Sequence, residues 1–419
     1  MKLKSRFYLL ALMSLGLVAK SFAADLLVAE NGAGGAYATI TDAITAAKDG
    51  DRIFVTPKSG GSPYGENIAI IKSLQFLSNK EGEKFVVNGS ITITPSVGMT
   101  VTFLGMKDLS GDITTTGASP AGARTEVKVV NCELTSGSVK FDYDNFNVQV
   151  VSSVINGYVN LRYGKVIGNS ITSPTSKGYS IGVTTDAAST NDTIMIIGNK
   201  ISQTYEYYYA YDLIRWNSSS QYFSIQNNFL SIGGASYYAV YGIEIYTTKQ
   251  SSTGRNQITN NTIYSLKGNT AIHLFSVLSN SFVDLTNNLI LGTATTKITS
   301  GITIGTNAGV ISNSYAFFGN VTTPLTGITD DGTNNLNSNA TIDNDGKLAA
   351  LSDAIDGGNP DSTYYDINLT RNDVGAYGGS FTLDNFFPIT GSARVYFIQA
   401  PRRVIIGNTI NVKAEAFDR

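Results

Sequence analysis

The hexapeptide ITNNTI at residues 258–263 is one of seven related segments in this 419-residue chain. Each segment begins and ends with an apolar residue and carries a small or polar pair in the middle, whose second member is usually Asn. The other six are VVNCEL (129–134), VVSSVI (150–155), VIGNSI (166–171), IIGNKI (196–201), IQNNFL (225–230) and LTNNLI (285–290). Their starts lie 16 to 33 residues apart. Stacked helices must keep their lengths, so this spacing argues against a helical-repeat array and favours strands joined by variable loops.

A second set of segments lies between the later copies. These segments alternate apolar and variable residues, which is the period of a β-strand. They are YSIGVT (179–184), YDLIRW (211–216), YGIEIY (241–246), TAIHLF (270–275) and SGITIG (300–305). No long amphipathic helix is expected between residues 100 and 330. The pattern predicts an all-β fold, a single-stranded right-handed parallel β-helix whose coils rise by roughly 4.8 Å each.

The polar pair is predicted to form a corner between two strands of each coil. Asn tolerates left-handed backbone and bonds to local backbone groups. Stacked one above the other, the second residues of the pairs would form a hydrogen-bonded asparagine ladder. These residues are Asn169, Asn199, Asn228, Asn261 and Asn288. We therefore interpret the pair as a structural part of the coil rather than as a ligand-binding signature.

The two ends of the chain differ from the repeats. Residues 1–23 are expected to be a signal peptide, because Lys2, Lys4 and Arg6 precede a short apolar run and small residues precede Ala24. The segment ATITDAITAAKDGD (38–51) predicts a helix that covers the open end of the barrel, capped by Thr39 or Thr41 and ended by Gly50. We predict a β-helix domain with its N-terminal cap over residues 24–380. Residues 381–419 are expected to be a short β-strand extension, interpreted as an incomplete sandwich-like module.

Composition narrows the classes of partner. Only 15% of the residues are charged and the formal net charge is −2, which argues against nucleic acid, since that partner needs a basic surface. The single cysteine, Cys132, rules out an intrachain disulfide. No other long apolar run exists, so no transmembrane segment is expected in the mature chain. We expect an exported protein of the periplasm, the outer surface or the medium.

The N-terminal segment YATITDAITAAKDGDRIFVTPKSGGSPYGENIAIIKSLQFLSN (37–79) resembles the opening of secreted right-handed β-helix proteins of the pectin-lyase-like superfamily. The tail resembles the ending of many such bacterial proteins. The matching tail positions are Ser352, Ala354, Ile355, Asp356, Gly358, Arg371, Asp373, Gly375, Ala376 and Tyr377. The resemblance covers about residues 25 to 380 and implies the fold. Its functional content is small, because the superfamily holds lyases, hydrolases, epimerases and adhesins.

Candidate functional residues lie on the second strand set. Taking Ile181, Leu213, Ile243, Ile272 and Ile302 as one inward column makes Glu244 and His273 neighbours on the outer face. The same alignment predicts an outward aromatic column of Trp216, Tyr246 and Phe275. A Glu–His pair suits proton transfer. The enzyme alternative places catalysis near Glu244, His273 and Arg215, which are the catalytic candidates. The alternative is that the aromatic column only packs on the sheet and His273 is a structural side chain.

Tyrosine-rich loops, TYEYYYAYD (204–212) and GGASYYAVY (233–241), offer a further contact surface. Tyr207, Tyr208 and Tyr209 join the aromatic column as candidate ligand contacts, because Tyr gives rigid amphipathic area. We expect a binding or structural role, with a polysaccharide or a cell-surface protein as partner. The alternative is a polysaccharide lyase or glycoside hydrolase. The lyase carboxylate set cannot be matched residue by residue, and no Asp–Asp pair suited to inverting hydrolysis is found in the repeats. Both observations make an enzymatic function a less favoured prediction.

Two acidic loops could supply oxygen ligands for Ca²⁺. They are TDDG (329–332) and DNDG (343–346), and neither has the spacing of an EF-hand loop. Such segments are typical of plain turns. We expect no metal site and no required cofactor, with calcium left open as an alternative.

Overall fold

A computed structural model of the protein describes residues 23–173, 178–187, 191–203, 211–232, 240–251, 253–265, 269–295, 297–389, 394–400 and 409–417. Within these ranges the chain winds through three long parallel sheets, and successive turns add one strand to each sheet. This architecture is consistent with a right-handed parallel β-helix, so the predicted fold class is confirmed. The strands are short because each occupies only one side of a coil.

The strands of each sheet follow one another in stacking order. Sheet A contains β1 (Asp25–Val28), β2 (Arg52–Val55), β4 (Leu74–Ser78), β7 (Thr100–Leu104), β10 (Thr125–Val130), β13 (Phe146–Val151), β16 (Gly164–Ile167), β19 (Thr193–Ile197), β22 (Tyr222–Gln226), β25 (Asn256–Thr259), β28 (Phe282–Asp284) and β31 (Val310–Ser312). Sheet B contains β5 (Phe85–Val87), β8 (Met106–Asp108), β11 (Glu133–Leu134), β14 (Val154–Ile155), β17 (Ser170–Ser173), β20 (Lys200–Gln203), β23 (Phe229–Ile232), β26 (Thr262–Tyr264), β29 (Leu289–Leu291) and β32 (Phe317–Gly319). Sheet C contains β3 (Ile68–Ile70), β6 (Ile91–Ile93), β9 (Ile113–Thr115), β12 (Val139–Phe141), β15 (Val159–Leu161), β18 (Tyr179–Thr184), β21 (Tyr211–Asn217), β24 (Val240–Ile245), β27 (Thr270–Val277), β30 (Ile298–Asn307) and β33 (Val321–Thr326).

The repeated segments stack in the predicted register. Val129 lies opposite Val150, and the same column continues through Val166, Ile196, Ile225 and Ile258. The turn between Val150 and Val166 contains a strand of every sheet, in spite of its short length. The inward apolar side chains of all three sheets form one continuous core along the barrel. Each coil therefore buries its own inner face without a covering layer of helices.

Five stacked asparagines, here called the asparagine row, fill the corner between sheets A and B. Their side chains are fully buried; they are Asn169, Asn199, Asn228, Asn261 and Asn288. The Nδ2 of Asn199 donates to Oδ1 of Asn228 at 2.9 Å and to the backbone oxygen of Val166 at 2.8 Å. Its neighbours repeat this pattern along the row. Buried amide groups need hydrogen-bond partners, and each asparagine of the row provides them for the asparagine of the neighbouring coil.

The residue before each row position has left-handed backbone. The φ angles are +66° at Gly168, +65° at Gly198, +53° at Asn227, +54° at Asn260 and +60° at Asn287. Gly and Asn are the residues that adopt this conformation most readily. The two members of the polar pair therefore have different roles. The first adopts the left-handed conformation of the turn, and the second places its side chain in the asparagine row.

The chain after the last coil returns along this corner. We call residues 352–389 the C-terminal strap. Asn227 Nδ2 donates to the backbone oxygen of Ala376 at 3.1 Å, and Asn260 Nδ2 donates to Asn372 Oδ1 at 2.9 Å. The Phe386 ring covers Gly168 and Gly198, where a Cβ would overlap it. Asn287 Oδ1 accepts from the Asn359 N–H at 2.8 Å. The first members of the pairs thus hold the strap with amide groups in three coils and leave room for an aromatic ring in two others.

The strap leads into an antiparallel hairpin formed by β34 (Arg394–Gln399) and β35 (Lys413–Phe417). Phe397 packs with Ile167 and Ile197 on the outer face of sheet A. Phe417 packs near Val151, and Lys165 forms an ion pair with Glu415. The described part of the C-terminal extension is therefore β-structured, as predicted, and it lies back on the barrel.

A single short α-helix, α1 (Ile40–Ala46), is found in the described residues and packs against β1, β2 and β3. Thr39 is its N-cap, since its Oγ1 accepts from the Asp42 backbone N–H at 3.0 Å. The helix ends at Ala46, so the expected stop at Gly50 is wrong by several residues. Short 3₁₀ turns occur at Glu30–Gly35, Ser59–Gly61 and Leu383–Asn385. In the part of the chain that the structure describes, no helix has the length and apolarity to span a bilayer.

Replacing Asn228 by Ala should lower the free energy of unfolding by about 2–4 kcal/mol. The change removes one asparagine of the row and leaves the buried amide groups of Asn199 and Asn261 without one of their hydrogen-bond partners. The exposed Asn156, which donates to the Thr135 backbone oxygen at 2.9 Å, is the matched control. Asn156→Ala should change stability by only about 0.5 kcal/mol or less. Chemical denaturation of both variants measures this difference, and equal losses would contradict a special role for the row.

Replacing Gly198 by Ala should destabilise the protein more than replacing Gly98 by Ala. Both glycines have φ near +65° to +68°, so both changes carry the same backbone strain. Only at Gly198 does the new Cβ overlap the Phe386 ring, whereas at Gly98 the nearest atom is Ala123 Cβ at 3.6 Å. We expect an extra cost of about 1–3 kcal/mol by denaturant unfolding. In a Phe386→Ala background the extra cost should disappear; its persistence would show that the ring is not the cause.

Candidate functional site

The outer face of sheet C brings Arg215, Glu244 and His273 together. Glu244 pairs with Arg215 on one side and with His273 on the other, in consecutive coils. The inward column below them is Ile181, Ile214, Ile243, Ile272 and Ile302. The predicted placement of Leu213 in that column is therefore wrong by one residue. The three catalytic candidates therefore lie side by side in one outward column. The predicted alignment placed Glu244 next to His273 but did not place Arg215 next to Glu244.

The slip has a physical cause at Tyr211. Tyr179 and Tyr241, which begin the neighbouring segments, lie opposite Asp212 rather than Tyr211. Tyr211 is buried, and its hydroxyl lies 3.0 Å from Ser180 Oγ. An inward tyrosine thus stands one position before the outward ones, and matching tyrosine to tyrosine shifts the strand.

Trp216 is a core residue, so its predicted role as a ligand contact is wrong. It lies opposite Ile245, is fully buried and packs edge-on against Phe223. Its indole nitrogen donates to the Ser218 backbone oxygen at 2.8 Å. The one-residue slip again explains the error, because it moved an inward side chain to the outer face.

The other two members of the aromatic column are on the outer face. The rings of Tyr246 and Phe275 lie 6.4 Å apart, and Phe275 is 58% exposed. Such a large exposed aromatic beside polar groups is a candidate contact surface. Tyr207, Tyr208 and Tyr209 lie outside the described residues. We call Arg215, Glu244, His273, Tyr246 and Phe275 the sheet C site.

His273 is held between aromatic rings and Glu244. Its Nδ1 lies 3.3 Å from Glu244 Oε1 and donates when that nitrogen carries the proton. Its imidazole stacks on the Tyr241 ring at 5.1 Å and meets the Phe275 ring edge-on at 6.1 Å. The histidine is therefore fixed in position, with 16% of its side chain exposed.

Asp212 joins the site from beneath and was not among the predicted site residues. Its carboxyl group is fully buried and bonds through Oδ2 to the Arg215 guanidinium. Burial, and then the nearby Glu244 carboxylate, raise the pKa of Asp212 to about 8. A signal for it existed in the sequence, since Asp212 and Arg215 are three residues apart, but its nearness to Glu244 depends on the correct register.

Glu244 behaves in the opposite way. Burial raises its pKa, but hydrogen bonds with His273, Tyr246 and Asp212 outweigh burial, and the pKa lies below the ordinary value. Burial and the Glu244 charge raise the pKa of Tyr246 to about 12. At neutral pH the pair thus holds one proton on Asp212 and one negative charge on Glu244. Two neighbouring carboxyl groups with pKa values moved apart are a recurring acid–base arrangement.

The acidic loops are occupied by turn hydrogen bonds. Asp330 and Asp331 accept from the backbone of Gly332 and Thr333, and Asp343 accepts from Asp345 and Lys347. Over the described ranges, no group of three or more His, Cys, Asp or Glu side chains is arranged to hold a metal ion.

Comparison with protein-family models gives no match, and no curated protein matches the chain. Among solved structures the chain is similar to AlyGC, an alginate lyase of the PL6 family, with a TM-score of 0.34 and 11% sequence identity. The likeness covers 78% of this chain and 55% of the other, so this chain spans little more than half the length of that protein. A likeness of this size carries no argument about what the chain binds or catalyses.

Asp212→Asn should make the protein relatively more stable as the pH rises from 5 to 8. The folded state binds the Asp212 proton more tightly than the unfolded state does, because the pKa is raised to about 8. The wild type therefore loses stability through this window, by up to about 4 kcal/mol, and the variant does not. Glu244 does not interfere, because its lowered pKa places its effect at more acidic pH. The measurement is the melting temperature of both proteins across this range; parallel curves would contradict the assignment.

Proposed function

We propose that this is an exported glycan-binding protein whose sheet C site holds a sugar chain against the side of the β-helix. The observation that carries the proposal is the exposed Phe275 ring, which lies beside Tyr246 and next to the hydrogen-bonded Glu244–His273 pair. An aromatic face covers the apolar side of a sugar ring, and a carboxylate accepts strong hydrogen bonds from its hydroxyl groups. The site offers both within one coil rise of each other.

The burial of Asp212 supports binding over catalysis by the Asp212–Glu244 pair. Asp212, the protonated carboxyl group, has no solvent-exposed surface and so cannot touch a substrate. Glu244 is 5% exposed and is stabilised as the carboxylate, which suits an acceptor better than a proton donor. A general acid or base must come within hydrogen-bond reach of the proton that it transfers.

A polysaccharide lyase or glycoside hydrolase is the second candidate, favoured by the separated pKa values of Asp212 and Glu244. In that case the ionised Glu244 and the neighbouring His273 would act on the substrate, and Arg215 would stabilise negative charge. Two carboxyl groups whose environments separate their pKa values are the usual basis of acid–base assignments.

Export completes the proposal. The basic and apolar N-terminal residues support a signal peptide, and a polysaccharide or surface-protein partner fits a periplasmic, surface or secreted location. Calcium stays an alternative cofactor for the acidic loops rather than a requirement.

Phe275→Ala should weaken polysaccharide binding by the mature chain at least about tenfold, because the exposed ring is lost. Binding is measured by affinity electrophoresis on soluble mannan, β-glucan, polygalacturonate and alginate. Tyr143, which is 44% exposed on another part of the barrel, gives the matched control variant Tyr143→Ala, and we expect it to bind as the wild type does. If no polymer is bound by the wild type, or if both variants bind equally, the sheet C site is not a glycan site.

Incubation of the same polymers with the wild type tests the second candidate. The glycan-binding proposal predicts no release of new reducing ends. Release that is lost in both Glu244→Gln and His273→Ala would establish the enzyme instead.

A further inference from the structure

Three cationic side chains along the outer face of sheet C already have hydrogen-bond partners. Arg215 donates to Asp212 through Nε and to the Gly178 backbone oxygen through Nη2 at 3.3 Å. In the same column, three coils earlier, Lys140 pairs with Asp112. Arg162, just after β15, pairs with Asp142 and Asp144. None of these three cations is left to meet a carboxylate from outside without first losing its own partner.

The negative charge beside Arg215 is carried by Glu244, whose Oε1 lies 3.3 Å from His273 Nδ1 and whose side chain is 7% exposed. Glu244 is one coil away from the exposed Phe275 ring, since it lies opposite His273, two residues before Phe275. With the proton on Asp212, the negative charge of Glu244 offsets the positive charge of Arg215. Sugar hydroxyl groups can donate to the Glu244 carboxylate, whereas a uronate carboxylate would face its negative charge.

Resting on the proposed glycan role, we propose that the sheet C site takes an uncharged sugar chain and rejects uronate polymers. Glu244 sets this specificity: it accepts hydrogen bonds from sugar hydroxyls and repels a sugar carboxylate. A like-charge contact in a partly buried site is unfavourable, because water screens it little. Binding of an uncharged chain should also depend weakly on salt, since no charge pair forms across the interface.

The test compares affinities of the mature wild type for uncharged polymers (mannan, β-glucan and fully methyl-esterified galacturonan) and for polygalacturonate and alginate, at low and high salt. We expect at least one uncharged polymer to bind tenfold or more tightly than either uronate, with little change on adding salt. Tighter binding of a uronate that weakens with salt would overturn the specificity while leaving glycan binding intact. Binding to none of the polymers would overturn both.

The Glu244→Gln variant tests whether the Glu244 charge sets the specificity without disrupting the fold. It keeps the shape of the side chain and removes its charge, so the preferred uncharged polymer should bind about tenfold more weakly and the discrimination against uronates should narrow. Glu81→Gln, at an exposed position, makes the same change in net charge away from the site and should alter neither quantity. An unchanged discrimination ratio in a folded Glu244→Gln protein, checked by its melting curve, would show that Glu244 does not set the specificity.

Discussion

The structure depends on satisfying the amides that each coil buries when it turns from sheet A to sheet B. Water cannot reach this corner, so every donor and acceptor there needs a partner within the protein. In the asparagine row two N–H groups from the coil before are accepted by the Oδ1 atoms of Asn199, Asn228, Asn261 and Asn288. The coils on both sides accept from the Nδ2 atoms of Asn169, Asn199, Asn228 and Asn261. The same bonds fix the height of one coil over the next, and thereby place the strands of all three sheets in register.

The residue before each row position links this corner to the rest of the molecule. It must adopt left-handed backbone, which limits it largely to Gly, Asn and Ser in this chain. Where this residue is Asn, as at Asn227, its side-chain amide forms hydrogen bonds with the strap. Where it is Gly, the missing side chain leaves space for the Phe386 ring. A local demand of the turn therefore also decides where the C-terminal segment can bind. The site on sheet C lies on another side of the coil, away from this contact.

The sequence was sufficient for the fold and for part of the site. The apolar flanks of the polar pair repeat without insertions, so their register could be predicted through coils of very different length. On sheet C the prediction failed at a single position, because Tyr211 points inward while Tyr179 and Tyr241 do not. That shift placed Trp216 outside and concealed the contact between Asp212 and Glu244. The direction of a tyrosine side chain depends on the partner that its hydroxyl finds, here Ser180 Oγ on the previous coil. That partner is 31 residues away, so it cannot be read from the local sequence.

The path of the strap makes the unfolding of the stacked coils more cooperative. A solenoid whose repeats touch only their neighbours approximates a one-dimensional chain, which can unwind from either end. Here the last segment returns across the earlier coils, and the Lys165–Glu415 ion pair joins residues 250 positions apart. Opening an intermediate coil must therefore also release a contact made from the far end of the chain. This closure raises the mean sequence separation of contacts, so the protein gains cooperativity and should fold slowly.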